Sequence, residues 1–346
     1  AWVEWPAALR DRHADALAAA TDQLQHQVRL ERFAQFLFFT QWNNLRQYCH
    51  DRGVRIIGDL PIYVAHDSAD VWSNPDLFFL DHTGNPTVVA GVPPDYFSET
   101  GQLWGNPIYR WDRMLANDYA WWTERIRGIL SMVDIVRLDH FRAFDAYWSV
   151  PAHEETAVNG EWVPGPGQTF FDVVRDKLGS IPLIAEDLGL ITDGVIKLIE
   201  DNGYPGMAIL EFAFDSGPSN KFLPHNYVRN LVAYSGTHDN DTVVGWLSDN
   251  RSTQDEATTS RLRDYARRYL GEPEDSLLHK AFIRALYASI ANQVIIPIQD
   301  LLGLGGETRM NVPGTVEGNW EWRMHETALS ADVAAELAEL VDTFGR

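Results

Sequence analysis

The chain has 346 residues, of which 45% are hydrophobic, enough for one large α/β domain of barrel size or two smaller ones. Its net charge of −21 argues against nucleic-acid partners and acidic substrates, because phosphate binding depends on lysine and arginine. The single cysteine, Cys49, excludes an intrachain disulfide and favours the cytoplasm. No run approaches the about 18 apolar residues of a membrane span, so a soluble chain without membrane association is predicted.

The region before Gly53 is predicted to be helical. Phe33, Phe36 and Leu37 begin a set of apolar residues at helical spacing, and Gly53 is well placed to end the helix. Cys49 lies on the apolar side of this pattern, which favours a core position over a catalytic one.

Six short apolar runs follow, each ending in polar or charged residues before a helical pattern. They are "GVRIIGDLPIYV", "VDIVRLDH", "IPLIAEDLG", "GMAILEFAFD", "LVAYSGTHDND" and "NQVIIPIQDLLG". Strands that alternate with helices indicate parallel βαβ units, and polar residues at the strand ends are typical of an α/β (β/α)8 TIM-type barrel with its site on that face. Because six strands do not close an eight-stranded barrel, the barrel is expected to be incomplete.

Two excursions interrupt this order. Residues 65–113 form a long insertion rich in Pro, Gly, Asn and Trp, read as an irregular segment; loops of this length are usually functional, although a surface covering is the alternative. The Asn159-Gly160 pair is typical of a tight hairpin turn. The 13 tryptophans suit the flat faces of sugar rings as well as an ordinary core. A final amphipathic helix is predicted with Ser330 as its N-cap.

Charged residues gather at the ends of three of the runs. The strand period of two places Arg137 and Asp139 on one face, where the guanidinium keeps the carboxylate ionised, as a nucleophile requires. Glu186 shares its face with Ile184, apolar surroundings that raise a carboxyl pKa. His238 and Asp239 follow another strand. A metal site, separate salt bridges and a glycosidase-type carboxylate pair all remain open from spacing alone.

Six motifs in order closely resemble the 4-α-glucanotransferases known as amylomaltases or disproportionating enzymes, relatives of the α-amylases. The motifs are "GDLPIYVAHDSADVW", "AGVPPDYFSETGQLWGNPIYRW", "VRLDHFRAF", "IAEDLG", "GTHDND" and "RMNVPG" followed by "GNWEWR". The resemblance implies a retaining double displacement on α-1,4-glucans through a covalent glucosyl-enzyme. It also implies that no metal or organic cofactor takes part.

The resemblance assigns roles by motif. Asp139 would be the nucleophile, Glu186 the acid and base, and Asp239 would hold the 2- and 3-hydroxyls of the distorted sugar. Binding roles fall to Arg137 and His238 beside these carboxylates, to Asp95, Tyr96, Gln102 and Trp104 along the cleft, and to Asn311 on the acceptor side. The implied partners are malto-oligosaccharides, amylose or glycogen-type glucans, and glucose as acceptor.

The family resemblance also sets expectations for domain organisation. Family members carry a preceding stretch with the first two barrel strands, and nothing here corresponds to it. Residues 1–346 are therefore expected to be one N-terminally truncated catalytic barrel domain, with 65–113 as an inserted substrate-cleft subdomain. Hydrolysis by the same residues and an inactive glucan-binding fragment are the alternatives to transfer.

Overall fold

The computed structural model describes residues 1–94, 98–248, 256–315 and 317–346. The chain divides into two compact units, Ala1–Tyr204 and Pro205–Arg346. Its strands, in chain order, are β1 Ile57–Leu60, β2 Val88–Val92, β3 Gln102–Pro107, β4 Ile135–Leu138, β5 Ala146–Pro151, β6 Glu161–Pro164, β7 Leu183–Ala185, β8 Gly206–Ile209, β9 Leu231–Tyr234 and β10 Gln293–Ile295.

The α-helices of the described residues precede, separate and follow these strands along the chain. They are α1 Ala7–Arg10, α2 Ala14–Gln23, α3 Gln25–His50, α4 Ala69–Ser73, α5 Trp111–Ala116, α6 Ala120–Met132, α7 Gly167–Leu178, α8 Asp193–Asn202, α9 Val243–Ser248, α10 Glu256–Leu270, α11 Asp275–Tyr287, α12 Ile298–Leu301 and α13 Ala331–Phe344. α-Helices separate consecutive parallel strands in both units, except β8 and β9, which confirms the α/β class.

The first unit contains a parallel sheet with the strand order β1-β4-β7. Its register aligns Leu60 with Leu138 and Leu138 with Ala185, so the three strands end level with one another. The residues that follow the last two strands, Asp139 and Glu186, therefore emerge at the same edge of the sheet, as the alternating pattern predicted.

An aromatic core supports this sheet. Trp122, Phe141, Phe144, Phe170 and Phe171 are each at most 1% exposed and belong to one continuous apolar cluster. Their rings lie 4.8 to 5.8 Å apart in tilted, stacked and edge-on pairs, arrangements that aromatic quadrupoles favour. Phe141, two residues beyond Asp139, therefore anchors the end of β4 in the core.

The insertion is more regular than the sequence indicated. It contains α4, β2 and β3, and its two strands join a four-stranded antiparallel sheet in the order β3-β2-β5-β6. The prediction of an irregular segment was wrong, because β3, whose residues include few strand formers, gains its pairing from β2, and β2 also pairs with β5 outside the insertion. Asn159 does lie in a turn directly before β6, and β5 and β6 form an antiparallel hairpin, but the connection between them spans residues 152–160 and is longer than the tight turn that the Asn159-Gly160 pair predicted.

The second unit carries its own parallel sheet, ordered β10-β9-β8. Phe214, Phe282 and Leu286 form part of its buried core. Each of the six apolar runs therefore contains one parallel strand, as predicted. The Ser330 prediction is also confirmed, because the Ser330 side chain accepts a hydrogen bond from the backbone N–H of Val333 at the start of α13.

The N-terminal region is helical, as predicted, and Gly53 follows α3 with a φ of +69°. Its apolar stripe is nevertheless exposed, by 57% at Phe33 and 63% at Phe36. Cys49 is half-buried and free. In the parts of the chain that the structure describes, no helix is long and apolar enough to cross a membrane.

Candidate active site

Arg137 lies between two carboxylates at the end of the first parallel sheet. Its Nη1 is 2.9 Å from Oδ1 of Asp139, and 2.7 and 2.8 Å from the two carboxylate oxygens of Asp59. The Arg137–Asp139 contact agrees with the strand period. The sequence reasoning missed Asp59, although the register that pairs Asp59 with Arg137 follows from adjacent parallel strands.

The Arg137 guanidinium remains a cation in this setting. Only 11% of its side chain is exposed, and burial alone would lower its pKa. The neighbouring negative charges outweigh burial and raise the pKa, with Asp59 and Asp139 contributing most. A permanent cation is thereby fixed against the Asp139 carboxylate.

Glu186 is the buried carboxyl group of the same edge, with 8% of the residue exposed. Its Oε2 accepts a 2.8 Å hydrogen bond from the backbone N–H of His140, and its Oε1 accepts one of 2.8 Å from that of Leu188. Burial, and then the charge of Asp139, raise the pKa of Glu186 to about 7 against the opposing effect of Arg137 and these amides. The direction of this pKa shift agrees with the expectation from the sequence, and burial is its main cause.

His140 is a component of this site that the sequence reasoning did not single out. Its backbone adopts a left-handed conformation with φ of 50°, which is uncommon outside glycine and clusters at functional sites. Burial, and then the charge of Arg142, lower the pKa of the His140 imidazole to about 3, so the ring is neutral at ordinary pH. Its position next to Asp139 was the available signal, but a left-handed residue has no sequence signature.

Trp104 brings the inserted segment to this edge. Its ring meets the His140 ring edge-on at 4.7 Å and lies 6.3 Å from that of Tyr63. Its indole Nε1 donates to the Gln102 side chain at 3.1 Å, and 38% of the residue remains exposed. The structure thus brings Gln102 and Trp104 together, whereas Asp95 and Tyr96 lie outside the described residues.

In the second unit, Asp239 is held by groups from two segments. Its Oδ1 accepts a 2.6 Å hydrogen bond from Nδ2 of Asn311, and its backbone carbonyl accepts one of 2.6 Å from Arg309. His238 Nε2 is 3.4 Å from its other carboxylate oxygen. The structure therefore brings Asp239, His238 and Asn311 together. Arg309 also donates a 2.9 Å hydrogen bond to the Asn311 carbonyl, so it links the two segments.

Two further acids lie buried near the same loop. Asp300 accepts hydrogen bonds from the Ser235 hydroxyl at 2.5 Å and the Val243 amide at 2.8 Å, and so ties both ends of the "GTHDND" loop together. Glu211 is 6% exposed, and burial, then the charge of Asp300, raise its pKa well above the usual range. The sequence reasoning passed over both residues because each lies inside an apolar run.

The acidic clusters among the described residues differ from a metal site in their arrangement. Within residues 1–94, 98–248, 256–315 and 317–346, no group of three or more His, Cys, Asp or Glu side chains is arranged to hold a metal ion. The first unit places a carboxylate against the Arg137 guanidinium, beside a buried carboxyl group whose pKa is raised.

Comparison with known proteins identifies the group to which the chain is similar. A family described as 4-alpha-glucanotransferase matches residues 1–329. Curated proteins named 4-alpha-glucanotransferase from Synechocystis and Thermus thermophilus are 47% and 45% identical over the whole chain, which spans 67% and 69% of their own lengths. The resemblance drawn from the six motifs is confirmed.

Solved structures agree with these sequences. The amylomaltase from Streptococcus agalactiae in complex with acarbose is 40% identical and matches the whole chain and 69% of its own length with a TM-score of 0.94. The amylomaltase from Corynebacterium glutamicum shares the fold at 18% identity and a TM-score of 0.75, over 89% of this chain and 49% of its own. The chain belongs to the 4-alpha-glucanotransferase family of enzymes.

Proposed function

We propose that this chain transfers α-1,4-glucan segments between malto-oligosaccharides by a retaining double displacement. The observation that carries this proposal is the pairing in the first unit, where Arg137 contacts Asp139 at 2.9 Å and the pKa of the buried Glu186 is raised to about 7. Retaining enzymes need one ionised carboxylate and one protonated carboxyl group, in this case at a common sheet edge.

In the first step, a carboxylate oxygen of Asp139 forms a bond to the anomeric carbon as the glycosidic C–O bond breaks. Glu186 gives its proton to the departing glycosidic oxygen, which leaves as the hydroxyl of a shortened glucan. In the second step, the 4-hydroxyl oxygen of an acceptor attacks the same carbon, Glu186 takes the hydroxyl proton, and the bond to Asp139 breaks.

The environment of Glu186 explains how one residue serves as acid and then as base. The negative charge of Asp139 helps to raise the pKa of Glu186, while Arg137 and two backbone amides lower it. When Asp139 becomes an ester in the glucosyl-enzyme, its charge disappears and the lowering influences remain. The pKa of Glu186 then falls, which favours release of its proton in the first step and prepares a base for the second.

The other candidate residues are proposed to bind the glucan. Asp239, with His238 and Asn311 against it, takes the 2- and 3-hydroxyls of the distorted sugar. Gln102 and Trp104 line the cleft, and Asp95 and Tyr96 of the same segment complete it. Support comes from the contacts that orient these side chains, 2.6 Å for Asn311 with Asp239 and 3.1 Å for Trp104 with Gln102. Arg137 remains the partner of the nucleophile.

The six parallel strands are proposed to be part of a (β/α)8 barrel, with residues 65–113 as its substrate-cleft subdomain. Support comes from the six parallel strands, five of which are followed by an α-helix, and from Trp104, which projects from the insertion against His140. Suitable partners are malto-oligosaccharides, amylose or glycogen-type glucans, and glucose as acceptor. The single cysteine favours a reducing compartment such as the cytoplasm.

Incubation of the chain with maltotriose, followed by separation of products by size, tests the proposal. Transfer produces a ladder of longer oligosaccharides with little gain in reducing ends. Shorter sugars with a matching gain in reducing ends would show hydrolysis instead. Absence of any reaction, with retained binding of maltotriose, would identify a glucan-binding chain without turnover.

A further inference from the structure

The backbone of Trp320 has an unusual conformation. Its φ of 62° is in the left-handed region, which is a genuine outlier for a bulky side chain. Among the described residues, the other non-glycine positions with positive φ are Arg12, Asp118, Tyr119 and His140. Such conformations persist only where the surroundings over-determine them, and they cluster at binding and active sites.

The loop around Trp320 fixes this conformation. The Trp320 amide donates a 2.7 Å hydrogen bond to the Met310 carbonyl, and Arg323 donates to the Trp320 carbonyl at 3.3 Å. The preceding Asn319 accepts from the Val312 amide at 2.9 Å through its side chain. The indole ring is therefore presented from a defined position on the segment that also carries Asn311.

Core packing does not explain the strain. The buried Tyr119 has a similar left-handed backbone but is 2% exposed, and its ring packs edge-on against Phe170 at 5.2 Å. Trp320 is 53% exposed, the highest fraction among the 13 tryptophans, all of which are described. An unfavourable backbone therefore holds a large apolar ring in solvent.

The exposed indole adjoins two candidate sugar-binding residues. Its ring lies 5.2 Å from the His238 ring at an interplanar angle of 39°, and the Asn311 amide donates to the His238 carbonyl at 3.1 Å. Asp239, next along the chain, has 44% of its side chain exposed. An accessible apolar ring thus lies beside an imidazole and a carboxylate, the combination that an amphipathic sugar ring requires.

We infer that Trp320 is a stacking platform for one glucosyl ring of a malto-oligosaccharide, beside His238 and Asp239. The inference rests on the proposed function and adds a binding residue to it. The C–H face of the sugar covers the indole, while the sugar hydroxyls reach the polar neighbours. The left-handed backbone is retained because it aims the ring at the ligand.

The test separates binding from stability. Acarbose, the ligand in the Streptococcus agalactiae complex, is titrated calorimetrically into the parent chain and into Trp320→Gly, Trp320→Phe and Trp5→Gly. Glycine tolerates the left-handed backbone, so Trp320→Gly should raise Kd about fivefold or more without lowering Tm. Trp320→Phe keeps an aromatic face, so its Kd for acarbose should lie between that of the parent chain and that of Trp320→Gly.

Trp5→Gly is the matched control. Trp5 is 45% exposed with an ordinary φ of −67°, so its replacement should lower Tm and leave Kd unchanged. An unchanged Kd in Trp320→Gly would overturn the platform. The platform would also be overturned if Trp320→Gly bound acarbose more weakly but had a lower Tm, and Trp320→Phe bound acarbose no more tightly than Trp320→Gly. If the parent chain itself fails to bind acarbose, the proposed function fails with it.

Discussion

The Glu186 carboxylate accepts a 2.8 Å hydrogen bond from the backbone amide of His140, the residue directly after Asp139. The segment that carries the proposed nucleophile therefore also positions the proposed acid. This link uses the main chain, so it depends on the backbone conformation of His140 rather than on its imidazole. The left-handed φ of 50° is what points the amide at Glu186.

Substitutions at His140 should consequently rank by their tolerance of left-handed backbone. Asparagine adopts this conformation readily, whereas valine, with its branched β-carbon, does not. We expect His140→Asn to keep a free energy of unfolding close to that of the parent and His140→Val to lose about 1 to 3 kcal/mol of it. Chemical denaturation of both variants measures the difference, and equal stabilities would show that the backbone is not strained there.

Asp139→Asn removes the proposed nucleophile while keeping its shape. Turnover of maltotriose should fall by about 10³-fold or more, because a neutral amide does not form the glucosyl ester. Stability should change little, since Arg137 keeps its two contacts with Asp59. Asp176→Asn, at an exposed position of α7, is the matched control and should retain full activity. Substantial transfer by Asp139→Asn would reassign the nucleophile.

Glu186→Gln should separate proton transfer from the displacement itself. The glutamine cannot protonate a departing sugar oxygen, so turnover of maltotriose should drop by about 10² to 10⁴-fold. An α-maltosyl fluoride donor needs no proton, and formation of the glucosyl-enzyme from it should be largely spared. Burst measurements with the two donors give the comparison. An equal loss with both would assign Glu186 a role other than the acid.

The sequence predicted those parts of the molecule that depend on local pattern. Arg137 and Asp139 were placed on one face by strand periodicity alone, and their 2.9 Å contact agrees with it. The raised pKa of Glu186, caused by burial and then by the charge of Asp139, agrees in direction with the expectation from its apolar run. Both inferences needed only the period of two and the rule that burial disfavours charge.

Other features depend on segments that meet only after folding. The insertion was predicted to be irregular because β3 has few strand formers and because β2, its partner, is also paired with β5, about sixty residues later in the chain. Asp59 and Arg309 were missed because their partners, Arg137 and Asp239, are 78 and 70 residues away. The left-handed backbones of His140 and Trp320 have no signature in residue type, since neither position is glycine.

The raised pKa of Glu186 also has a consequence for stability. A folded pKa of about 7, against 4.5 for the free side chain, means that the folded chain holds a proton that the unfolded chain releases between these values. Stability must therefore fall as pH rises from about 4.5 to about 7, by about 3 kcal/mol at most from this group. Glu186→Gln removes the titration.

Comparison of the two proteins at two pH values isolates this effect. At pH 4.5 the parent and Glu186→Gln should unfold at similar denaturant concentrations, because the parent carboxyl group is neutral in the fold. At pH 8 the glutamine variant should be the more stable one, since the parent buries a charge with only the amides of His140 and Leu188 and the cation of Arg137 to offset it. A difference in stability that does not change between the two pH values would mean that Glu186 titrates normally, and its assignment as the acid would lose its physical basis.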